Sequence, residues 1–494
     1  MDLRPESVVW TVVLFATLTI PAGSTSAMFD QGSLGFTSEQ TPTAHAGLTP
    51  NLPTAQLTTT QVTTTSESMA TATDQSATST YAATTEPGTT SKIVTSPDDT
   101  TLVTTPEAYT PTPGFCPLYC YCQPDRMAVY CRSFEHLHSV PQGIPASAET
   151  LWVYESNIPR LETNSFQNLT NLQTLMLFTN LITEIADGAF NGLSSAKSLD
   201  LASNQIHTIQ DDTFKGLDNL EYLELTGNNI QTLPPNAFQH TPNIRHLILT
   251  YNKFQTYPTE ALSALTNLEQ LYIAATKITT IPANSISTMS NLTILFLQVN
   301  ELESIDPKAF ATQGPSTLKE LYLLGNKFNT VPSESFVSSV RKLVLSENPI
   351  TQIQDGDFSV LVNLETLELK KMGLSELAVG SFRSLKNIQE IDLSENELTS
   401  LNKSHFSDLA TLRNLTLDGN PWRCDCEFWR VAHWFGTANI TTDGVKCEAP
   451  GELRGRSVLD LSGNEVGCDV NSGKLWGQTG LFVFILQVVV YVCH

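Results

Sequence analysis

The chain has 494 residues, enough for several domains, and carries 27 Lys and Arg against 50 Asp and Glu. That acidic balance argues against a nucleic-acid backbone as partner, because such proteins show a basic footprint. It speaks to solubility and association rather than to fold.

Residues 1–27, MDLRPESVVWTVVLFATLTIPAGSTSA, place Arg4 before an apolar run from Val8 to Ile20 and end in small residues. This is the layout of a secretory signal peptide, expected to be cleaved near Ala27, with an uncleaved anchor as the alternative. Export leads to an oxidising compartment, so the cysteines are expected to form disulfides.

Residues 28–114 are a different material. Of these 87 residues 34 are Ser or Thr and eight are Pro, and Lys92 is the only Lys or Arg. Such a composition cannot bury enough apolar surface to offset chain entropy. It predicts a disordered, mucin-like, O-glycosylated arm; a bare linker is the plainer alternative.

Residues 115–147 hold Cys116, Cys120, Cys122 and Cys131 and are expected to form an N-terminal cap. Residues 148–420 are periodic. LWVYES, LMLFTN, LDLASN, LELTGN, LILTYN, LYIAAT, LFLQVN, LYLLGN, LVLSEN, LELKKM, IDLSEN and LTLDGN recur every 24 residues, except for one step of 26 followed by one of 22. This is the pattern L-x-x-L-x-L-x-x-N of the leucine-rich repeat.

Each position has a physical role. The L-x-L triplet predicts a short strand with its leucines inward. Nine of the twelve units follow it with Asn, from Asn180 to Asn420, expected to satisfy backbone groups of neighbouring turns. Ser156, Thr276 and Met372 replace it, and Met372, which cannot do this work, predicts a local adjustment. Fifteen residues after each first leucine comes an apolar plug, usually Phe, expected to fill the convex-side core.

A solenoid exposes its core at both ends and needs caps. The second set of four cysteines, Cys424, Cys426, Cys447 and Cys468, lies in residues 421–468 and predicts a C-terminal cap. Four cysteines allow three pairings, and sequence alone does not choose. The fold expected is therefore an α/β leucine-rich-repeat solenoid with a curved parallel concave sheet, an irregular convex side and a disulfide cap at each end.

Residues 469–494 place Asn471, Ser472 and Gly473 before a short polar spacer and an apolar run, Leu481 to Cys493. That run is short for a membrane span, which needs about 20 residues. The layout is that of a GPI-attachment signal with Asn471 as the attachment site. A short tilted C-terminal transmembrane helix is the alternative.

The sequence contains no G-x-S-x-G, H-E-x-x-H, P-loop or EF-hand pattern. His136 and His138, and Asp355 and Asp357, read as solvated or turn-forming residues. No catalytic residues, metal site or cofactor are expected, and the protein is not expected to be an enzyme.

The repeats with both caps, residues 116–468, resemble extracellular leucine-rich-repeat receptors. SVPQGIPASAETLWVYESNIPRLETNSF, the 24-residue repeats and NPWRCDC are similar to the variable lymphocyte receptors. The long arm before the first cap, and the short segment after the last, depart from that pattern. The cap resemblance implies the pairs Cys116–Cys122, Cys120–Cys131, Cys424–Cys447 and Cys426–Cys468, and the receptor resemblance implies a ligand on the concave face.

On that face the residue between the two leucines of each strand points outward. Ile248, Tyr272, Phe296, Tyr322 and Val344 are five apolar or aromatic residues in succession, with Tyr251, Val299 and Leu324 widening the patch. An exposed apolar patch of this kind marks an interaction surface, although it could also pack on itself or form a homodimer. A smaller patch, Trp152, Tyr154, Met176 and Phe178, could lie under the arm. N-glycan sequons occur at Asn168, Asn291, Asn402, Asn414 and Asn439.

The function expected is a lipid-anchored cell-surface receptor for a protein or glycan ligand, immune in type, signalling through a co-receptor. The competing expectation is an adhesion or matrix-organising protein with one fixed partner, resembling the Nogo receptor or platelet glycoprotein Ib families.

Overall fold

The computed structural model describes residues 116–468. The signal segment, the Ser/Thr-rich arm, Asn471 and the apolar tail lie outside the described residues.

The L-x-L triplets form three-residue strands that join edge to edge in one fifteen-stranded sheet. It begins with an antiparallel pair from the N-terminal cap, Cys120–Gln123 and Ala128–Cys131. It then runs parallel from Thr150–Val153 to Asn414–Thr416 and ends on the cap strand Thr441–Asp443. Register is kept throughout, leucine beside leucine: Leu247 pairs with Leu271, and Leu271 with Leu295. The 26/22 step does not disturb it, because Phe296, Tyr322 and Val344 remain aligned. The extra residues are absorbed in the connection around Gln313–Pro315, outside the sheet.

Outside that sheet the chain is mostly turns, with pairs of two-residue strands such as Thr280–Ile281 with Ser304–Ile305. The repeats carry one four-residue α-helix, Thr259–Leu262, and the C-terminal cap a longer one, Cys426–Thr437. Asp425 caps the latter by accepting the backbone N–H groups of Glu427 and Phe428. The β character of the solenoid therefore dominates its α character.

Three internal features hold the turns together. The leucines of the strands are fully buried. On the convex side Phe166, Phe190, Phe214 and Phe238 stack with centroids 6.0–6.5 Å apart, and Phe358, Phe382 and Phe406 repeat the arrangement. Between them runs the asparagine ladder. Asn252 is typical: its Oδ1 accepts from Ile230 N–H at 3.1 Å, and its Nδ2 donates to the carbonyls of Leu225 and Leu249 at 2.9 Å. One side chain thus satisfies three buried backbone groups on two turns.

At the position of Met372 this supply fails, and Ile350 N–H turns instead to the carbonyl of Asn348 at 2.8 Å. Ser156 does part of the work by accepting from Ser133 N–H at 3.3 Å. Thr276 leans on the next rung, donating to Asn300 Oδ1.

A second ladder, not anticipated from the sequence, runs along one flank. Asn171, Asn219, Asn243, Asn267, Asn363 and Asn387 stand four residues before a strand leucine (Ile391 in the last case), and each donates to a carbonyl 25 residues earlier at 2.8–3.1 Å. Thr317 and Thr411 substitute with their hydroxyls. The signal was present in NLQTL, NLEYL, NIRHL and NLEQL.

The caps close both ends. Cys116 is joined to Cys122, Cys120 to Cys131, Cys424 to Cys447 and Cys426 to Cys468. Trp422 seals the last turn, its indole N–H donating to the Leu417 carbonyl at 2.9 Å and its ring stacking on Phe428.

Candidate ligand-binding surface

The parallel sheet places the outward residues of successive strands in rows, about 4.8 Å apart. The central row runs Ile248, Tyr272, Phe296, Tyr322, Val344 in unbroken register. The expected patch is therefore contiguous, but its exposure differs from expectation. Ile248, Phe296 and Val344 are only 5%, 7% and 3% exposed. The aromatic rings lie flat against one another: Phe296 is sandwiched between Tyr272, at 4.3 Å, and Tyr322, at 4.2 Å. Rings on adjacent strands gain more by stacking than by standing in water.

What remains accessible is the two tyrosines and the residues beside them. Each hydroxyl is held by its own strand, Tyr272 donating to Gln270 Oε1 at 2.9 Å and Tyr322 to Glu320 Oε2 at 2.7 Å. Burial and the neighbouring Glu320 push the Tyr272 phenol up to about 12. Leu324 is half-buried.

Tyr251 and Val299 are the well-exposed members, at 52% and 39%. Both sit just before a ladder position, where every repeat turns through a left-handed residue. Tyr251 has φ 56° and Val299 φ 55°, whereas Gly227, Gly325 and Gly419 fill the same position elsewhere. A β-branched residue there is strained.

N-terminal to the stack lies a pair that the sequence reading did not single out. Asp200 and Glu224 are directly paired on neighbouring strands. Glu224 is 1% exposed. Its Oε1 accepts from Thr226 N–H at 2.8 Å and its Oε2 from the Tyr222 hydroxyl at 3.1 Å. Asp200 Oδ1 accepts from Ala202 N–H at 2.8 Å. Burial, and then the charge of Asp200, push the Glu224 carboxyl up to about 8. Burial pushes Asp200 up to about 6, against the opposing hydrogen bond from Ala202. The acids were visible in LDLASN and LELTGN, but an outward strand position reads as solvated until the curved sheet crowds it.

C-terminal to the stack the basic residues are paired. Lys342 lies 5.4 Å above the Tyr322 ring and 2.9 Å from Glu368. Arg341 meets Glu365 at 2.7 Å and Lys371 meets Glu347 at 3.5 Å. Glu395 is taken by Lys370 at 2.8 Å.

The smaller patch is also a cluster. Tyr154 stacks on Phe178 at 5.4 Å, Trp152 meets Phe178 edge-on at 5.7 Å, and Arg132 lies 5.7 Å over Tyr154. His136 stacks on Tyr119 and His138 faces the Asn157 carbonyl, so the two do not converge. Asp357 accepts from Gln354 N–H within its own turn, whereas Asp355 accepts from Gly380 N–H on the next repeat. Among the described residues no cluster of His, Cys, Asp or Glu could hold a metal ion.

The sequon residues Asn168, Asn291, Asn402, Asn414 and Asn439 are all exposed. Asn414 stands on the concave face beside Glu390, at 2.8 Å. Asn291 occupies a flank-ladder position yet does not donate to the preceding turn as its counterparts do.

A family model described as leucine rich repeat matches residues 147–206, 194–254, 260–312, 316–371 and 363–421. The chain belongs to the leucine-rich-repeat family. Trophoblast glycoprotein of Mus musculus is 27% identical over 156 residues, 31% of this chain and 32% of that one. Carboxypeptidase N subunit 2 of Mus musculus is 38% identical over 64 residues, 13% of this chain and 12% of that one. This leucine-rich-repeat chain thus spans a third or less of these curated relatives.

Among solved structures, a chain from the octameric complex of Latrophilin 3, Unc5D and FLRT2 superposes with a TM-score of 0.55 at 25% identity. The match covers 72% of this chain and all of that one. The TLR13–ssRNA13 complex matches with a TM-score of 0.51 at 22% identity over 66% of this chain and 55% of that one, a likeness of fold. The leucine-rich-repeat family model describes a structural unit and assigns no reaction. The four disulfides and these relatives mark an extracellular or cell-surface leucine-rich-repeat protein. Among the described residues no helix is long and apolar enough to cross a membrane.

Proposed function

We propose that this protein is a cell-surface recognition receptor that binds a protein or glycan ligand on the concave face of its solenoid. The observation that carries the reading is the ordered stack Tyr272–Phe296–Tyr322, flanked by the exposed Tyr251 and Val299. Tyrosine offers a large contact area at low entropy cost and is a favoured hot-spot residue. Holding Val299 in a left-handed conformation costs folding energy, and such strain gathers at functional positions. The likeness to a chain from the latrophilin, Unc5D and FLRT2 assembly favours a protein ligand.

In this reading the receptor is variable-lymphocyte-receptor-like and immune in type, is tethered by a GPI anchor at Asn471, and signals through a co-receptor. N-glycans on Asn168, Asn291, Asn402, Asn414 and Asn439 border the solenoid, the one on Asn414 fencing the C-terminal end of the concave face. The same FLRT2-containing complex also favours a second reading, an adhesion protein with one fixed partner.

The test is a binding screen of cells bearing the full chain against microbial surfaces and host surface proteins. It is followed by Tyr272→Ala, Phe296→Ala and Tyr322→Ala, singly and together. A hit whose affinity is unchanged in the folded triple variant moves the site off the concave face. Phosphatidylinositol-specific phospholipase C should release the protein from those cells; retention argues for a spanning helix.

A further inference from the structure

The concave face is chemically lopsided. Its outward rows between the strand Thr174–Met176 and the turn at Gly325 contain Asp200, Glu224 and Glu320, and neither Lys nor Arg. Basic residues flank these rows at Arg132, paired with Glu155, and from Lys342 onward, where they are already paired with Glu368, Glu395 and Glu347. On the flank, Glu221 and Glu269 are likewise served by Lys197 and Arg245. Asp200 and Glu224 are directly neighbouring acids, and neither has a Lys or Arg within ion-pair distance among the described residues, as is also true of Glu320 in the same strip. Two residues after Phe296, the buried Oε1 of Gln298 accepts no hydrogen bond. The central face therefore offers acceptors and aromatic rings and lacks a cation.

We propose that the strip from Asp200 to Tyr322 is a docking surface for a basic protein segment, whose arginine or lysine seats on Asp200 and Glu224 while a nearby apolar side chain covers Tyr272 and Tyr322. This rests on the reading of the concave face as the binding surface and names the chemistry of its partner. Charge complementarity selects the occupant. Two adjacent acids, poorly hydrated and without a counter-ion, are relieved by a cation, and charge-assisted hydrogen bonds to carboxylates are about twice as strong as neutral ones. The aromatic edge next to them accommodates either an aliphatic stem or an apolar neighbour. Glu224 and Tyr272 lie two strands apart, about 10 Å, which an extended peptide spans in about three residues. A basic residue with an apolar residue about three positions away fits both features.

Seating the cation also changes the protonation of the acids. The groups facing Glu224 are Tyr222 on its own strand, Asp200 on one side, His246 and Ile248 on the other, and Tyr272 one strand further. With Glu224 pushed up to about 8 by burial, it holds its proton near neutrality and loses it to solvent when the cation arrives. Affinity accordingly rises with pH between 6 and 8.5.

The test pans a phage library of random twelve-residue peptides on cells bearing the full chain, with unexpressing cells as the counter-selection. The expected result is enrichment of Arg or Lys with an apolar residue about three positions away. Synthetic copies of the enriched peptides should lose about tenfold or more in affinity for the Asp200→Asn/Glu224→Gln variant. Asp200→Asn alone, at the more exposed of the two acids, should weaken binding in the same direction, and both substitutions retain the shape and the local hydrogen bonds. Peptides that lose affinity on Tyr272→Ala but not on Asp200→Asn/Glu224→Gln overturn the cationic anchor and leave the concave-face reading standing. Peptides indifferent to both sets of changes overturn both readings. Enrichment without basic residues, or an empty selection, overturns the anchor. So does self-association of the purified full chain that disappears in the double variant, which would assign the surface to a second copy.

Discussion

Glu224→Gln should make the stability of the solenoid less sensitive to pH. The folded-state value of Glu224 is raised from 4.5 to about 8, so the folded protein binds a proton that the unfolded chain has released. Stability from this group is fully present below its unfolded value and is lost as pH rises through the folded one. A shift of this size corresponds to roughly 4–5 kcal/mol once ionisation is complete, of which about 3 kcal/mol disappears between pH 5 and pH 8. Asp200, raised to about 6, acts in the same direction at lower pH, and the two titrate as a pair. Glutamine cannot ionise, yet it can still accept from Thr226 N–H and meet the Tyr222 hydroxyl. The variant should match the parent near pH 5 and exceed it near pH 8 by up to about 3 kcal/mol. Denaturant titrations at pH 5, 6.5 and 8 give the global value. Because repeat arrays can unfold in parts, amide exchange at Leu201 and Leu225, whose N–H groups bond across these strands, supplies the local one. A pH slope identical in parent and variant refutes the reasoning, since it means that Glu224 is ionised and solvated in the folded state.

Three further outcomes follow from the packing. Phe214→Ala, in the middle of the convex stack and fully buried, should cost about 3–5 kcal/mol in denaturant unfolding. Asn252→Ala leaves the Ile230 N–H and the Leu249 carbonyl unpartnered inside the ladder, while the Leu225 carbonyl keeps Asn228; at about 1–3 kcal/mol per buried group it should destabilise strongly, and Asn252→Thr less, as Thr276 occupies the same position. Val299→Gly removes left-handed strain and should raise stability by about 1 kcal/mol, while weakening binding of any concave-face ligand in the same preparation.

The sequence by itself determined the repeat, its inward leucines, the asparagine ladder and the cysteine sets at the two ends. These are legible because each turn repeats the same few contacts, so the period in the chain is the period in space. The second asparagine ladder was equally periodic and could have been found by reading four residues back from each strand leucine. What the tertiary structure alone decided is how much of each outward side chain meets water. Alternation assigns Phe296, Ile248, Val344 and Glu224 to the outer face correctly, but it treats each strand as isolated. Placed in register with neighbours about 4.8 Å away, Phe296 is covered by two tyrosines, and Glu224 loses its hydration to Tyr222 and Ile248. Pairing among charges was decided the same way: Glu395 chose Lys370 over Lys371 through the geometry of two adjacent turns, which no spacing along one chain can express.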